Sequence, residues 1–442
     1  MSTVVLASDL EHEVLLPRSW KLPIGLSVFA LLAALGFGLS LTKGEASMVA
    51  IVTGTRGLGT INLSFPSQGA IIFLSVLMFA LVAVSWWSSI TRTARLGPFQ
   101  LTPRLRIGAI RISAWVGTLF GVFFVSAFLL WAVAGRGLAL QFTSLLSGAL
   151  FLSTPLIFGA MAGTVCERVG VINVSIEGQL LAGAFLAAVV GSATGNPWLG
   201  LLAAPIAGAL VGALLALFAV RYWVDHIIVG VVLNVFVTGV TSYLFSTVLA
   251  RSQTFSLATR LPTWKIPLLS EIPVLGPVLF AQNALVYIMY IAVIVLQIML
   301  FKSRWGLRLR ACGEHPRAAD TAGIKVNMTR VINTILGGAI AGLGGAFFTI
   351  ANGLAFGKGM SAGRGFIALA AMILGGWKPK GALIAALLFG FADNLQNALG
   401  VVGVEVPSQF MLMAPYLVTI FAVAGLVGRV RPPAMEGKPY KG

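Results

Sequence analysis

Within "VGVINVSIEGQLLAGAFLAA", residues 169–188, a carboxylate (Glu177) and an amide (Asn173) sit in an otherwise apolar run. Charge inside a bilayer is costly, so an acid there faces a cavity or a partner. Glu167, Arg168, Gly170 and Gly178 flank it, a pattern that interrupts helix. A broken helix offers backbone groups and half-helix ends to a polar solute, as transporter sites do. Two readings stand for the neighbours: Glu167 and Arg168 fit a cytoplasmic turn as well as a cavity, and Asn173 with Ser175 fit interhelix packing.

A second interrupted stretch, "GRGFIALAAMILGGWKPKGALIAALLFGFADNLQ", covers residues 363–396. Gly375, Gly376 and Pro379 break it, and Asp393, Asn394 and Gln396 place polar groups in the span that follows. Paired interrupted segments point to a transport pathway. Asn234 joins the candidates, with helix packing as its other reading. The candidate pathway set is therefore Asn173, Glu177, Asn234, Asp393 and Asn394.

Other chemistry is missing from the pattern. The stretch "GLAFGKGM" lacks both the spacing and the hydroxyl residue of a phosphate-cradling loop, so ATP hydrolysis by this chain is not expected. His12, His226 and His315 lie in different segments, without ligand spacing. Cys166 and Cys312 show neither disulfide nor metal spacing.

What positions these residues follows from composition. The chain of 442 residues is 58% hydrophobic and 10% charged, with a mean hydropathy of +0.96. A bilayer core needs about 20 apolar residues of helix, so the expectation is an all-α, polytopic transmembrane bundle. Twelve spans are expected, near 22–42, 69–90, 112–134, 142–165, 169–191, 198–220, 226–250, 282–301, 331–351, 365–377, 381–400 and 409–428. The tenth is short enough to be broken or re-entrant. The net charge of +17 is read as topology rather than nucleic-acid binding, because Lys and Arg concentrate in cytoplasmic loops.

Arg92, Arg95, Arg104, Arg106 and Arg111 in one loop, and the seven basic residues of 302–330 in another, both fall inside if the N-terminus does. The basic tail then returns to the cytoplasm only if 365–377 counts as a crossing. The first apolar run has no convincing cleavage site, so a retained helix is expected. Near residue 140 the chain changes from widely spaced spans to a Gly/Ala-rich array. The expected division is an N-terminal extension with two extra spans (1–111), a permease core of about ten spans (112–428, motif-bearing from about 140) and a basic tail (429–442).

The loop "FKSRWGLRLRACGEHPRAADTAGIKVNMTR" differs in kind. His315-Pro316 starts a short helix, Arg317 and Asp320 stand three apart, and Gly323 offers a stop. Such a helix suits docking by a cytosolic partner; a solvated basic loop is the other reading.

Three ordered stretches, "ERVGVINVSIEGQLLAGAF", "ACGEHPRAADTAGI" and "GRGFIALAAMILGGWKPKGALIAALLFG", resemble the permease subunits of ATP-binding cassette importers in the branched-chain amino acid and ribose superfamily. They are most similar to its nucleoside and simple-sugar branch, and the tail "RPPAMEGKPY" is similar to endings in that branch. The resemblance covers about residues 140 to 440. It implies a bacterial inner-membrane protein that passes a nucleoside, first of all a purine, or a simple sugar inward by alternating access. The implied partners are a second related permease, a cytosolic ATPase that holds ATP and Mg, and an extracytoplasmic substrate-binding lipoprotein; no cofactor is implied in this chain. Gly313, Glu314, Pro316, Ala318, Ala319, Ala322, Gly323 and Ile324 would form the coupling segment set into the ATPase. Phe185 or Trp377 would offer an aromatic face to a base. The rival reading is a secondary active transporter of a small polar solute, against which stands the lack of two six-span halves.

Overall fold

The computed structural model describes residues 20–38, 41, 45–52, 60–91, 106–107, 110–136, 139–250, 259–353, 355–402 and 431–441. Two units divide the chain: Met1–Val49 with Asn62–Leu140, and Ala50–Ile61 with Gln141–Gly442.

The first unit holds α1 (Lys21–Leu32), which continues in wide turns through Gly38, α2 (Ser67–Thr91) and α3 (Ile112–Val133). Aromatic residues knit it together: Phe29 meets Phe124 edge-on at 5.5 Å, and Phe37 lies 5.3 Å from Trp131. Its polar groups bond one another at the helix ends. Trp86 Nε1 donates to Ser27 Oγ at 3.0 Å, and Ser47 Oγ donates to the Leu130 carbonyl at 2.7 Å.

The second unit is a helical bundle of α4 (Phe142–Arg168), α5 (Ile176–Thr194), α6 (Pro197–Ala216), α7 (His226–Leu244), a short α8 (Leu275–Leu279), α9 (Ala284–Lys302), α10 (Arg304–Glu314), α11 (Pro316–Thr321), α12 (Val326–Ala346), α13 (Arg364–Leu374) and α14 (Pro379–Val402). At its centre are α4 and α12, with 72% of the most apolar window of each buried. Small residues bring neighbouring backbones together here. A Cβ on Gly208 of α6 or Gly342 of α12 would fall on the other helix's backbone, which is how membrane helices pack without a hydrophobic drive between them.

Among the described residues nine helices are long and apolar enough to cross a membrane, and Leu22–Gly38 and Arg364–Leu374 are shorter apolar helices. Eleven of the twelve expected spans thus have helical counterparts; 409–428 lies outside the described residues, as do most of the basic loop 91–111 and the N-terminal acids. Two boundaries differ instructively. The fifth helix begins at Ile176 instead of near 169, because the chain turns at Gly170 (φ +98°) and runs irregularly through 175. The ninth expected span is α12, which begins at Val326 rather than 331, because Asn327, Thr329 and Arg330 interrupt the apolar run of its first turns.

At the opposite end of α12 from that first turn, the connection after α7 forms a folded cap. Strands Thr263–Lys265 and Ala281–Asn283 pair antiparallel, Thr263 opposite Asn283, and the Leu261 N–H donates to the Ile350 carbonyl at 2.9 Å. Trp264 stacks between Trp198 (5.6 Å) and Tyr287 (6.3 Å).

Candidate functional site

The irregular chain between α4 and α5 lies inside the bundle, so its backbone polar groups need partners. Asn234, from the third turn of α7, supplies two: its Oδ1 accepts from the Gly178 N–H at 2.8 Å and its Nδ2 donates to the Val174 carbonyl at 2.9 Å. His226 Nδ1 accepts from the Ile172 N–H at 3.3 Å. Asn173 is fully buried and closed into a side-chain cluster. Ser175 Oγ and Gln179 Nε2 donate to its Oδ1 at 2.8 and 3.2 Å, and its Nδ2 donates to Gln179 Oε1 at 3.0 Å.

Glu177, in the first turn of α5, points its carboxylate at the start of another helix. Gly363 N–H donates to Oε1 at 2.8 Å and Gly365 N–H to Oε2 at 2.6 Å, so the N-terminus of α13 and that of α5 converge on one negative charge. Both ends carry partial positive charge, and an anion there is favoured. The opposite end of α13 is held by the complementary charge. Arg168 Nε donates to the Trp377 carbonyl at 2.9 Å and its Nη2 to the Gly376 carbonyl at 3.2 Å, while Trp377 Nε1 donates to Glu167 Oε2 at 2.6 Å. An 11-residue helix is therefore gripped at both ends by residues flanking a single chain break.

Beside this clasp, Arg364 of α13 pairs with Asp393 of α14 at 3.4 Å, the two side chains 27% and 32% exposed, and lies over the Phe348 ring at 5.6 Å. Asn394 donates to the Leu145 carbonyl at 2.7 Å. Thus Glu177 and Asp393 both face α13, while Asn173 and Asn234 meet at the break; Asn394 joins α14 to α4. Phe185 belongs to an aromatic cluster with Phe356 (5.2 Å), which also meets Phe245 (5.9 Å). Trp377 is buried at the other end of α13. Sequence reasoning left out Arg364, whose one signal was a lone basic residue between two glycines in an apolar stretch.

A separate surface lies around α10 and α11. Gly323 adopts φ +81° just past α11, as a helix stop requires. An open groove of about 740 Å³ runs along Leu307, Ala311, Ala318, Ala322, Gly323 and Ile324. Glu314 and the largely buried Ala319 also line it, whereas Gly313 and Pro316 are buried and do not. Gly313 has no room for a side chain, since a Cβ would strike the Arg168 carbonyl. Among the described residues no cluster of three or more His, Cys, Asp or Glu is arranged to hold a metal ion.

Residues 145–424 match the family described as branched-chain amino acid transport system / permease component. The chain is 39% identical over 300 residues to the guanosine ABC transporter permease protein NupQ of Bacillus subtilis, covering 66% of this chain and 94% of that protein. It is 39% identical over 305 residues to the nucleoside ABC transporter permease protein NupC of Lactococcus lactis, covering 67% and 96%. A second guanosine ABC transporter permease protein of Bacillus subtilis, NupP, is 28% identical over 289 residues, covering 63% and 82%. No solved structure matches.

Proposed function

The chain belongs to the permease-component family of branched-chain amino acid transport systems, and from that premise we propose that it is the membrane subunit of an ATP-binding cassette importer that passes a nucleoside inward by alternating access. It is a multi-pass membrane protein and a transport component rather than an enzyme. The purine nucleoside reading is supported by the names of its relatives, two of which are guanosine permeases; a simple sugar is the other substrate class of the branch.

One observation carries the mechanism: α13, a half-length helix, hangs between Glu177 and Arg168. A helix of 11 residues spans about 16 Å, half a bilayer core, so with the chain 355–363 before it the segment makes one broken crossing. Counting it as such gives twelve crossings with both termini in the cytoplasm, and places α10, α11 and the tail inside, where their Lys and Arg belong. In the inner membrane of a bacterium, the folded cap at 259–283 then faces the substrate-binding lipoprotein.

The groove at α10–α11 receives a cytosolic ATPase, which holds ATP and Mg; this chain contributes no cofactor and binds no nucleic acid. Since two different Bacillus subtilis guanosine permeases resemble the chain to unequal degrees, a second, non-identical permease is the expected partner. Rocking of the pair moves α13 against its two grips. Glu177 and Asp393, with Arg364, form the polar pathway in this reading, while Asn173, Asn234 and Asn394 hold the helices that carry them. Residues 1–111, ahead of the core at 112–428 and the tail at 429–442, are an extension beyond what the family match requires.

The test is purification of the tagged chain in gentle detergent, identification of co-purifying proteins, and uptake of labelled guanosine by the reconstituted assembly. Recovery of an ATPase and a second permease, with uptake that requires ATP, supports the proposal. Uptake by the chain alone without ATP would overturn it in favour of a secondary transporter.

A further inference from the structure

The stretch 431–441 does not trail into solvent but lies across the face that carries α10 and α11. Met435 N–H donates to the Gly313 carbonyl at 2.9 Å and Gly437 N–H to the Gly170 carbonyl at 3.1 Å, so one short segment bridges the end of α10 and the turn after α4. Ala434 N–H donates to Glu314 Oε2 at 3.2 Å. Tyr440 OH donates to Asp320 Oδ2 of α11 at 3.0 Å, and Arg330 Nη1, from the first turns of α12, donates to the Lys438 carbonyl at 2.8 Å. At the centre, the Glu436 carboxyl lies beside that of Glu167.

These contacts are a poor way to gain stability. Arg330 is 1% exposed, yet its Nε and Nη2 have no partner among the described residues, and a buried guanidinium with donors to spare is costly. A carboxyl pair under the same strap is costly too. What the segment does achieve is connection. Helix α11 has six residues, too few to persist unaided, and the strap ties it through Tyr440. From Glu436 the contacts continue to Glu167 and on to the Trp377 indole, at the C-terminal end of α13.

We propose that Arg431–Lys441 is a transmission strap whose Tyr440 and Glu436 are positioning residues, carrying displacement of α11 to the Glu167–Trp377 end of α13. This rests on the importer reading, in which α11 is where the ATPase acts. Proximity alone does not establish coupling; two ends of one strap biasing a single gripped helix is the physical claim.

The experiment uses the complete importer, with its ATPase, second permease and binding protein, in proteoliposomes, and measures ATP hydrolysed per nucleoside taken up. Four variants are compared with wild type: Tyr440→Phe, which removes only the hydroxyl; Glu436→Ala; Glu436→Gln as its conservative rescue; and a chain ending at Arg431. Expected for Tyr440→Phe, Glu436→Ala and the shortened chain is a rise in ATP per nucleoside of about fivefold or more, the lower end of ordinary coupling energies, with assembly intact, and a return toward wild type in Glu436→Gln. A merely structural strap would lower the amount of complex without changing that ratio. Should the shortened chain fail to insert, Tyr440→Phe decides. ATP-driven wild-type uptake with an unchanged ratio in Tyr440→Phe and Glu436→Ala would overturn the strap alone, whereas wild-type uptake indifferent to ATP would overturn the importer reading and the strap with it.

Discussion

Replacing Glu177 by Ala would leave the Gly363 and Gly365 N–H groups with no acceptor at the start of α13. Unpaired donors of this kind cost about 1–3 kcal/mol each, so Glu177→Ala is expected to lower the detergent melting temperature and to abolish uptake. Glu177→Gln keeps one good acceptor and the shape; its uptake should fall about tenfold, equivalent to about 1.4 kcal/mol. Equal uptake in wild type and Glu177→Ala would show that the carboxylate is not needed to seat α13. A second residue-scale prediction concerns pH. Burial pushes the Glu436 carboxyl above the ordinary carboxylate range, against the pull of its hydrogen bond to Glu167 and of the Arg168 guanidinium; Glu314 and Arg310 also act on Arg168. An acid raised in the folded state stabilises fully below its unfolded value, about 4.3, and loses that contribution as pH climbs through the folded value. A spin label at the exposed Ala434 should therefore gain mobility as pH rises above that range, and the gain should vanish in Glu436→Gln. A pH-independent signal in wild type would contradict this.

At the scale of elements, α13 is the part most sensitive to small changes. A Cβ on Gly365 would overlap the Glu177 backbone, so Gly365→Ala must push α13 away from α5, at a cost of about 1–3 kcal/mol. Normal membrane insertion with lost uptake is the expected result; normal uptake would mean that the two helices separate without consequence. The break before α5 and the short tenth span, α13, were both legible in the sequence, because Gly170, Gly376 and an apolar run of half the usual length are local signals. The grips were only half legible. Glu177 stood out as an acid in an apolar run, but its partners are backbone N–H groups, which no side-chain pattern reports. Arg364 was missed since its meaning depends on the rotation of α14 that brings up Asp393. The strap was invisible for a similar reason: most of its ties, at Gly170, Gly313 and Lys438, run through main-chain atoms.

For the whole molecule, hydropathy and basic loops predict topology with little help from packing, since bilayer thickness and Lys/Arg bias act on long stretches. That makes a clean test. Cys166 and Cys312 are buried, so a cysteine introduced at Leu268, which is 81% exposed, should react with an impermeant thiol reagent from outside the cell. One at the exposed Ala322 should react only after the membrane is opened. Labelling of both from the same side would refute the twelve-crossing arrangement. The grips on α13 carry one more consequence. Arg168 and Glu177 are held apart by the seven irregular residues 169–175, and together they work as the jaws of a caliper closed on a helix nearly two hundred positions further along the chain. The setting of that caliper and the length of α13 are one quantity written in two places. Adding or deleting a single residue in either stretch should stop transport, and the change that restores it will lie in the other.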